Sequence, residues 1–278
     1  MSSQIPERTN IHGPAEIKPR DVHFDKLKDL NMHNWHGGNP IISQLYNGLS
    51  LLFPEGEDFF VHSVRIHAKQ ITDPALKTHV KGFMTQEAIH SREHIVYNEA
   101  LDEQKIPTKR VLEMNHKGIE WTKKGSKQSQ LASTAAAEHF TATLADMLLT
   151  DDRMMGDAPE EMKRIWRWHA VEETEHKAVA YDVYQACYPG VQGYLVRCLI
   201  MLLTLVTFVP GILLGTFALL RGVNEKPTGK HWRQALKFLF WGPGFITKMV
   251  WRSLPYFKPS FHPWDEQNFH HITEWNEA

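Results

Sequence analysis

The sequence predicts an all-α protein: long helices gathered into a bundle, followed by a hydrophobic helical extension. Three observations lead there. No stretch of any length alternates apolar and polar residues as a half-buried strand does. Helix starts and stops recur along the chain, from Thr72-Asp73-Pro74 to Tyr188-Pro189-Gly190. The last third then turns apolar, with no charge from Cys198 through Leu220. At 278 residues, 42% hydrophobic and 23% charged, the chain can bury a sizeable core and suits one large domain with an appendage.

Residues 1–38 are polar and rich in Pro and charge, and read as an irregular arm ending in Gly37-Gly38-Asn39-Pro40. Ile41 to Phe53 has helical character and is expected to stop at Pro54. A second helix then begins near Pro54 to Gly56, where a proline suits the first turn, and runs to about Lys69. Thr72-Asp73-Pro74 is an N-cap followed by Pro at the first helical position. It opens a long helix to about Gln104, closed by Ile106-Pro107. A more polar helix covers about Thr108 to Lys124, and Gly125-Ser126 breaks it. Ser129 to Thr150 is rich in alanine, the best helix former. Asp157-Ala158-Pro159-Glu160 starts another long helix, expected to end at Tyr188-Pro189-Gly190. No repeat of fixed period appears. The domain organisation is an arm over 1–38, a helical bundle over 39–192 and a hydrophobic extension over 193–278.

The chemistry lies in two Glu-x-x-His pairs, Glu87 with His90 and Glu173 with His176. Residues three apart share a helix face, so each pair can grip one metal ion. Two further helices offer one glutamate each, Glu57 and Glu138. One Glu from each of two helices and a Glu-x-x-His from each of two others is the ligand pattern of ferritin-like dimetal bundles. Carboxylates bridge two hard cations and neutralise them, and imidazole suits Fe, Mn or Zn. The cofactor expected is therefore a pair of metal ions, iron first, with Mn or Zn as alternatives. Twenty glutamates and 17 histidines in 278 residues give roughly one Glu-x-x-His by chance, so a single match means little. The four-part order carries the argument, against the alternative of surface charges on a plain bundle. A third match, Glu113 with His116, sits in a polar helix without apolar framing and reads as a solvated face.

Neighbouring residues extend the pattern. His169 lies one turn before Glu173 and is a candidate third imidazole ligand, or a buried hydrogen-bonded histidine. Glu172 and Glu175 either orient metal-bound histidines or are solvated charges. His94, one turn past His90, reads as a partly buried helix histidine. His139 points away from its neighbour Glu138.

Four motifs in order make the chain resemble a known family. Phe53-Pro54-Glu55-Gly56-Glu57-Asp58-Phe59-Phe60, Gln86-Glu87-Ala88-Ile89-His90 with Glu93-His94, Ala137-Glu138-His139-Phe140 and Trp168-His169-Ala170-Val171-Glu172-Glu173-Thr174-Glu175-His176-Lys177 resemble the bacterial "predicted metal-dependent hydrolase" family. The likeness covers most of the chain from about residue 35, including Phe261-His262-Pro263-Trp264. With His169 counted, the ligand pattern is also similar to that of the di-iron arylamine N-oxygenases. The resemblance implies a metal-dependent enzyme.

Three classes of function remain open: di-iron O2-dependent oxidation of an apolar or lipid-like substrate, which needs an electron donor; hydrolysis by water activated between two metals; and metal binding without catalysis. Helix-borne ligands favour the first. In both enzyme readings Glu57, Glu87, His90, Glu138, Glu173 and His176 are the working residues. The net charge of -1 argues against a nucleic-acid partner. Two cysteines, Cys187 and Cys198, provide neither a disulfide framework nor a thiolate zinc site. The first thirty residues lack the apolar core of a signal peptide, so the expected location is the cytoplasmic side of a membrane. The run from 198 to 220, bracketed by Arg197 and Arg221, is long enough to span a bilayer. It is expected to contact a membrane as a span, as a hairpin bent at Pro210-Gly211 dipping into one leaflet, or as a helix lying on the surface. A buried core helix or a homodimer interface is the alternative. Trp241 and Trp251, with nearby lysines, would then sit at headgroup level.

Overall fold

The structure, a computed structural model, describes residue 14 and residues 16–277; residues 1–13, the first part of the expected arm, lie outside the described residues. No strand occurs among the described residues. In chain order the helices are α1 (Pro40–Arg65), α2 (Pro74–Glu103), α3 (Lys109–Lys123), α4 (Lys127–Thr150), α5 (Glu160–His176), α6 (Val179–Cys187), α7 (Gly190–Leu219), α8 (Gly229–Phe240), α9 (Phe245–Ser253) and α10 (His270–Glu277). The caps follow the residue types. Asn39 accepts from the amides of Ile41 and Ile42, Asp73 from that of Ala75 and Ser126 from that of Ser129. Each satisfies donors that a helix start leaves without a partner.

Helices α1, α2, α4 and α5 form the central bundle, with α1 packed on α2 and α4 on α5. Between them lies one continuous core that includes Tyr46, Phe53, Phe83, Tyr97, Phe140 and Trp166. Helix α3 bridges α1 and α7, α6 closes on α4 and α2, and α7 lies along α4 and α1 on the outside. The shorter α8, α9 and α10 cover α1, α4 and α5 respectively.

The structure corrects three boundary expectations. Pro54 does not end a helix; α1 runs through it. A proline at this position has no N–H for the Ser50 carbonyl, and the side-chain amide of Asn98 on α2 supplies the missing donor at 3.2 Å. The helix expected from residue 160 to 188 is interrupted just after His176, and α6 begins at Val179. No Gly or Pro marks this break; Lys177 there turns its ammonium to the Glu266 carbonyl and the Asn268 side chain. Helix α7 continues through Pro210 with no hairpin at Pro210-Gly211.

Residues 16–38 lie against the bundle. Ile17 is buried across α2 at Gly82, where a Cβ would stand 2.7 Å from the Ile17 carbonyl oxygen. Only glycine lets the segment cross so closely. Phe24 is fully buried beside Trp168, and its amide donates to Glu93.

Candidate metal centre

The four bundle helices each turn acidic or imidazole side chains inward at one level. Helix α1 presents Glu57, α2 presents Glu87 and His90, α4 presents Glu138, and α5 presents His169, Glu173 and His176; all seven are buried. They make three overlapping triads whose donor atoms lie within 4.8 Å of one another: Glu57, His90 and His169; Glu87, His90 and Glu173; Glu87, Glu138 and His176. Spacing within α2 and α5 is local helix geometry. Convergence of the four helices is tertiary.

His176 Nε2 stands 3.0 Å from Glu87 Oε1 and 3.5 Å from Glu138 Oε2 and Glu173 Oε2. His90 Nδ1 stands 3.8 Å from Glu173 Oε1. His169 Nε2 is 2.8 Å from Glu173 Oε1 and 3.8 Å from Glu57 Oε1. The close His176–Glu87 pair lies off the line of a hydrogen bond, so neither atom counts it as a partner. Both oxygens of Glu57, Glu87 and Glu138, one of Glu173, His90 Nδ1 and His176 Nε2 are buried without a hydrogen-bond partner. Buried polar atoms are nearly always satisfied, and donors on one ion at about 2.1 Å sit about 3 Å apart. The residues present therefore fit divalent cations.

The electrostatics among the side chains agree. Burial, reinforced by the neighbouring carboxylates, pushes Glu57 and Glu138 well above the ordinary carboxyl range. Burial raises Glu87 to about 7 against the pull of His176. Burial opposes ionisation of Glu173 too, but His176, and after it the His169 ring beside it, hold it well below its ordinary value. Burial also disfavours charge on His176, yet Glu173 and Glu87 hold it well above the ordinary imidazole range. Burial, then His169, keeps His90 neutral. Four carboxylates in one dry space need cations, either protons or metals.

Each imidazole is aimed from behind. His90 Nε2 donates to Glu172 Oε2 at 3.0 Å, leaving Nδ1 toward the cluster. The Gln86 amide donates to Glu175 at 2.7 Å, so its oxygen accepts from His176 Nδ1 at 2.9 Å and leaves Nε2 inward. Arg20 clamps Glu172 and Glu175 together, at 3.2 and 2.6 Å. The third ring is set by a longer chain. Asn98 Nδ2 donates to the Ser50 carbonyl, so Asn98 Oδ1 accepts the Ser50 hydroxyl at 2.8 Å. Ser50 Oγ must then accept from His94 Nδ1 at 2.9 Å, and His94 Nε2 accepts from His169 Nδ1 at 2.8 Å. Burial first, and then His169 and His90, hold His94 neutral, as this requires. His169 is left with Nε2 facing Glu173 and Glu57. These tautomers follow from the hydrogen-bond network.

All seven residues expected at the site are thus brought together, His169 included. Glu172 and Glu175 are partners of the inner residues, and His94 touches His169 and no carboxylate of the cluster. Glu113 and His116 lie on the exposed side of α3, where His116 pairs with Glu55 at 2.7 Å. His139 turns away and donates to the Arg252 carbonyl. Sequence reasoning missed Arg20, Ser50, Gln86 and Asn98. Asn98 carried a usable signal, since Glu87, His90, His94 and Asn98 follow i, i+3, i+4 spacing on one face. Arg20 carried none, because its place depends on the crossing at Gly82.

One small cavity, with room for about one water-sized molecule, reaches the cluster at His169 and Glu173. Phe53, Leu144, Leu148 and Trp166 also line it, the Phe53 ring 4.6 Å from that of His169.

The family model described as "Predicted metal-dependent hydrolase" matches residues 18–267. No curated protein and no solved structure matches the chain.

Proposed function

This chain belongs to the predicted metal-dependent hydrolase family, and we propose that it is an enzyme working through two metal ions held by Glu57, Glu87, His90, Glu138, His169, Glu173 and His176. One observation carries the reading: the buried carboxylate oxygens of Glu57, Glu87 and Glu138 have no hydrogen-bond partner. Burying such charges alone is costly by several kcal/mol each, and cations offset it. Oxygen and imidazole donors suit iron, with Mn or Zn as alternatives.

Bound here, two ions supply Lewis acidity that activates water, or, as iron, electrons for O2. Of the two chemistries we favour O2-dependent oxidation of an apolar substrate, with an electron donor as partner. In its support, the donors stand on helix faces inside an aromatic wall of Phe53, Phe83, Trp166 and Trp168. The side chains of the chain itself do the positioning. Glu172 holds His90, Gln86 holds His176 and His94 holds His169. Phe53, Leu148 and Trp166 exclude bulk water from the His169 side and favour a small or apolar group there. Hydrolysis is the second reading, and the family description stands behind it.

Metal analysis of the purified full chain tests both levels. Oxidation predicts about two irons per chain and an optical spectrum that changes with O2. Glu138→Ala should lose metal while keeping its helical circular dichroism. Full turnover with zinc under argon would overturn oxidation and keep the metal enzyme. A wild-type chain that takes up none of iron, manganese or zinc would overturn the metal reading.

A further inference from the structure

Helix α7 is apolar but not a core helix. Its most apolar stretch has a mean hydropathy of 2.4, yet only 17% of it is buried. One side is used: Arg197 donates to the Tyr256 and Lys258 carbonyls, Gly215 packs on Val111 of α3, and Thr216 and Leu219 meet Gly48 of α1. The other side is open, with Leu195 59%, Val206 54% and Leu214 58% exposed, and Leu199, Leu202 and Phe217 between and beyond them. From Leu195 to Phe217 this face is about 33 Å long at 1.5 Å per residue. It continues onto α8, where Trp232 stacks on Phe217 and Leu236 is exposed. An open apolar face of this length exceeds what a soluble monomer tolerates without a partner.

Charge selects the partner. Residues 190–264 hold nine of the 31 Lys and Arg but only one, Glu225, of the 32 Asp and Glu, although the whole chain sums to -1. Arg221, Lys226, Lys230, Arg233, Lys237 and Lys258 are exposed and make no ion pair among the described residues. Two copies meeting through this face would set like charges together. An anionic lipid surface matches both the apolar face and its basic border.

Packing selects the mode. Helix α7 is held along its length by α1 and α4, and the polar helix α3 lies against it, with Val111 3.7 Å from Gly215. A span would draw Lys109, Arg110, Glu113 and Lys117 of α3 into hydrocarbon. We propose that the open face of α7, extended by α8, docks the protein in the plane of one leaflet of an anionic bilayer.

Full-length protein, added to preformed vesicles of phosphatidylcholine with or without phosphatidylglycerol, is floated on a density gradient. The expected result is flotation with the anionic vesicles, weakened by raised salt and released by alkaline carbonate. The variant Lys230→Glu/Arg233→Glu/Lys237→Glu should bind about a hundredfold more weakly, with unchanged melting temperature and metal content. Leu199→Glu/Leu203→Glu, on the exposed face, should abolish flotation. Resistance to carbonate extraction would overturn the one-leaflet mode. A stable dimer by light scattering that ignores both vesicle types would overturn the proposal itself.

Discussion

Replacing Asn98 by leucine removes two hydrogen bonds with separable consequences. The Ser50 carbonyl, which Pro54 cannot serve, loses its donor, and the Ser50 hydroxyl loses the acceptor that sets its direction. The first loss is an unsatisfied buried acceptor, about 1–3 kcal/mol, with the lower end apt because Asn98 is half-buried. The second frees Ser50 and His94 to reverse their donor directions, so that His169 no longer has Nε2 fixed as an open acceptor. Loss of such an orienting partner weakens metal binding roughly 10–100-fold, or about 1.4–2.8 kcal/mol. Pro54→Ala separates the two. Alanine restores the N–H that the Ser50 carbonyl lacks and removes a helix-interior proline, so Asn98→Leu/Pro54→Ala should regain stability. It cannot restore the Asn98 oxygen, so its metal affinity should stay low. Ser50→Ala should match that affinity loss without the carbonyl defect. Urea unfolding in chelator reads the stability, and chelator competition reads the affinity. If the double variant binds metal like wild type, or Ser50→Ala does, then the chain from Asn98 to His169 does not set the ring.

Two further predictions follow from the same geometry. From pH 6.5 upward His90 and His94 bind no proton when folded and at most about half a proton each when unfolded, whereas Glu57, Glu87 and Glu138 have folded pKa values raised above their unfolded ones and His176 keeps its proton when folded. The folded state then binds more protons, so chelator-treated protein should lose stability as pH rises from about 6.5 to 8, by up to about 1.4 kcal/mol per pH unit for each extra proton; saturating metal should flatten the urea midpoint across that range, and a midpoint in chelator that rises with pH would contradict the charge assignment. Gly82→Ala would ordinarily stabilise a helix by about 1 kcal/mol, but here its Cβ meets the Ile17 backbone, so a net loss of about 1–3 kcal/mol in urea unfolding is expected; a stabilised variant would show that residues 16–24 do not need this crossing.

Helical periodicity carries a good part of this protein's plan within single segments. The all-α class, the capped start of α2, the family likeness, and the pairing of Glu87 with His90 and of Glu173 with His176 are all properties of single segments, because residues three or four apart share a face whatever surrounds them. The uncharged run from 198 to 220 was equally plain. Tertiary structure alone decided the rest. Pro54 reads as a stop until Asn98, on another helix, serves the carbonyl it leaves open. The break after His176 has no breaker residue, and the clamp of Arg20 on Glu172 and Glu175 depends on a crossing over Gly82. Which side of α7 stays open was decided by where α1 and α4 lie against it. In each case a hydrogen-bond donor or packing surface is supplied from a distant part of the chain, and local spacing holds no record of which distant segment will arrive.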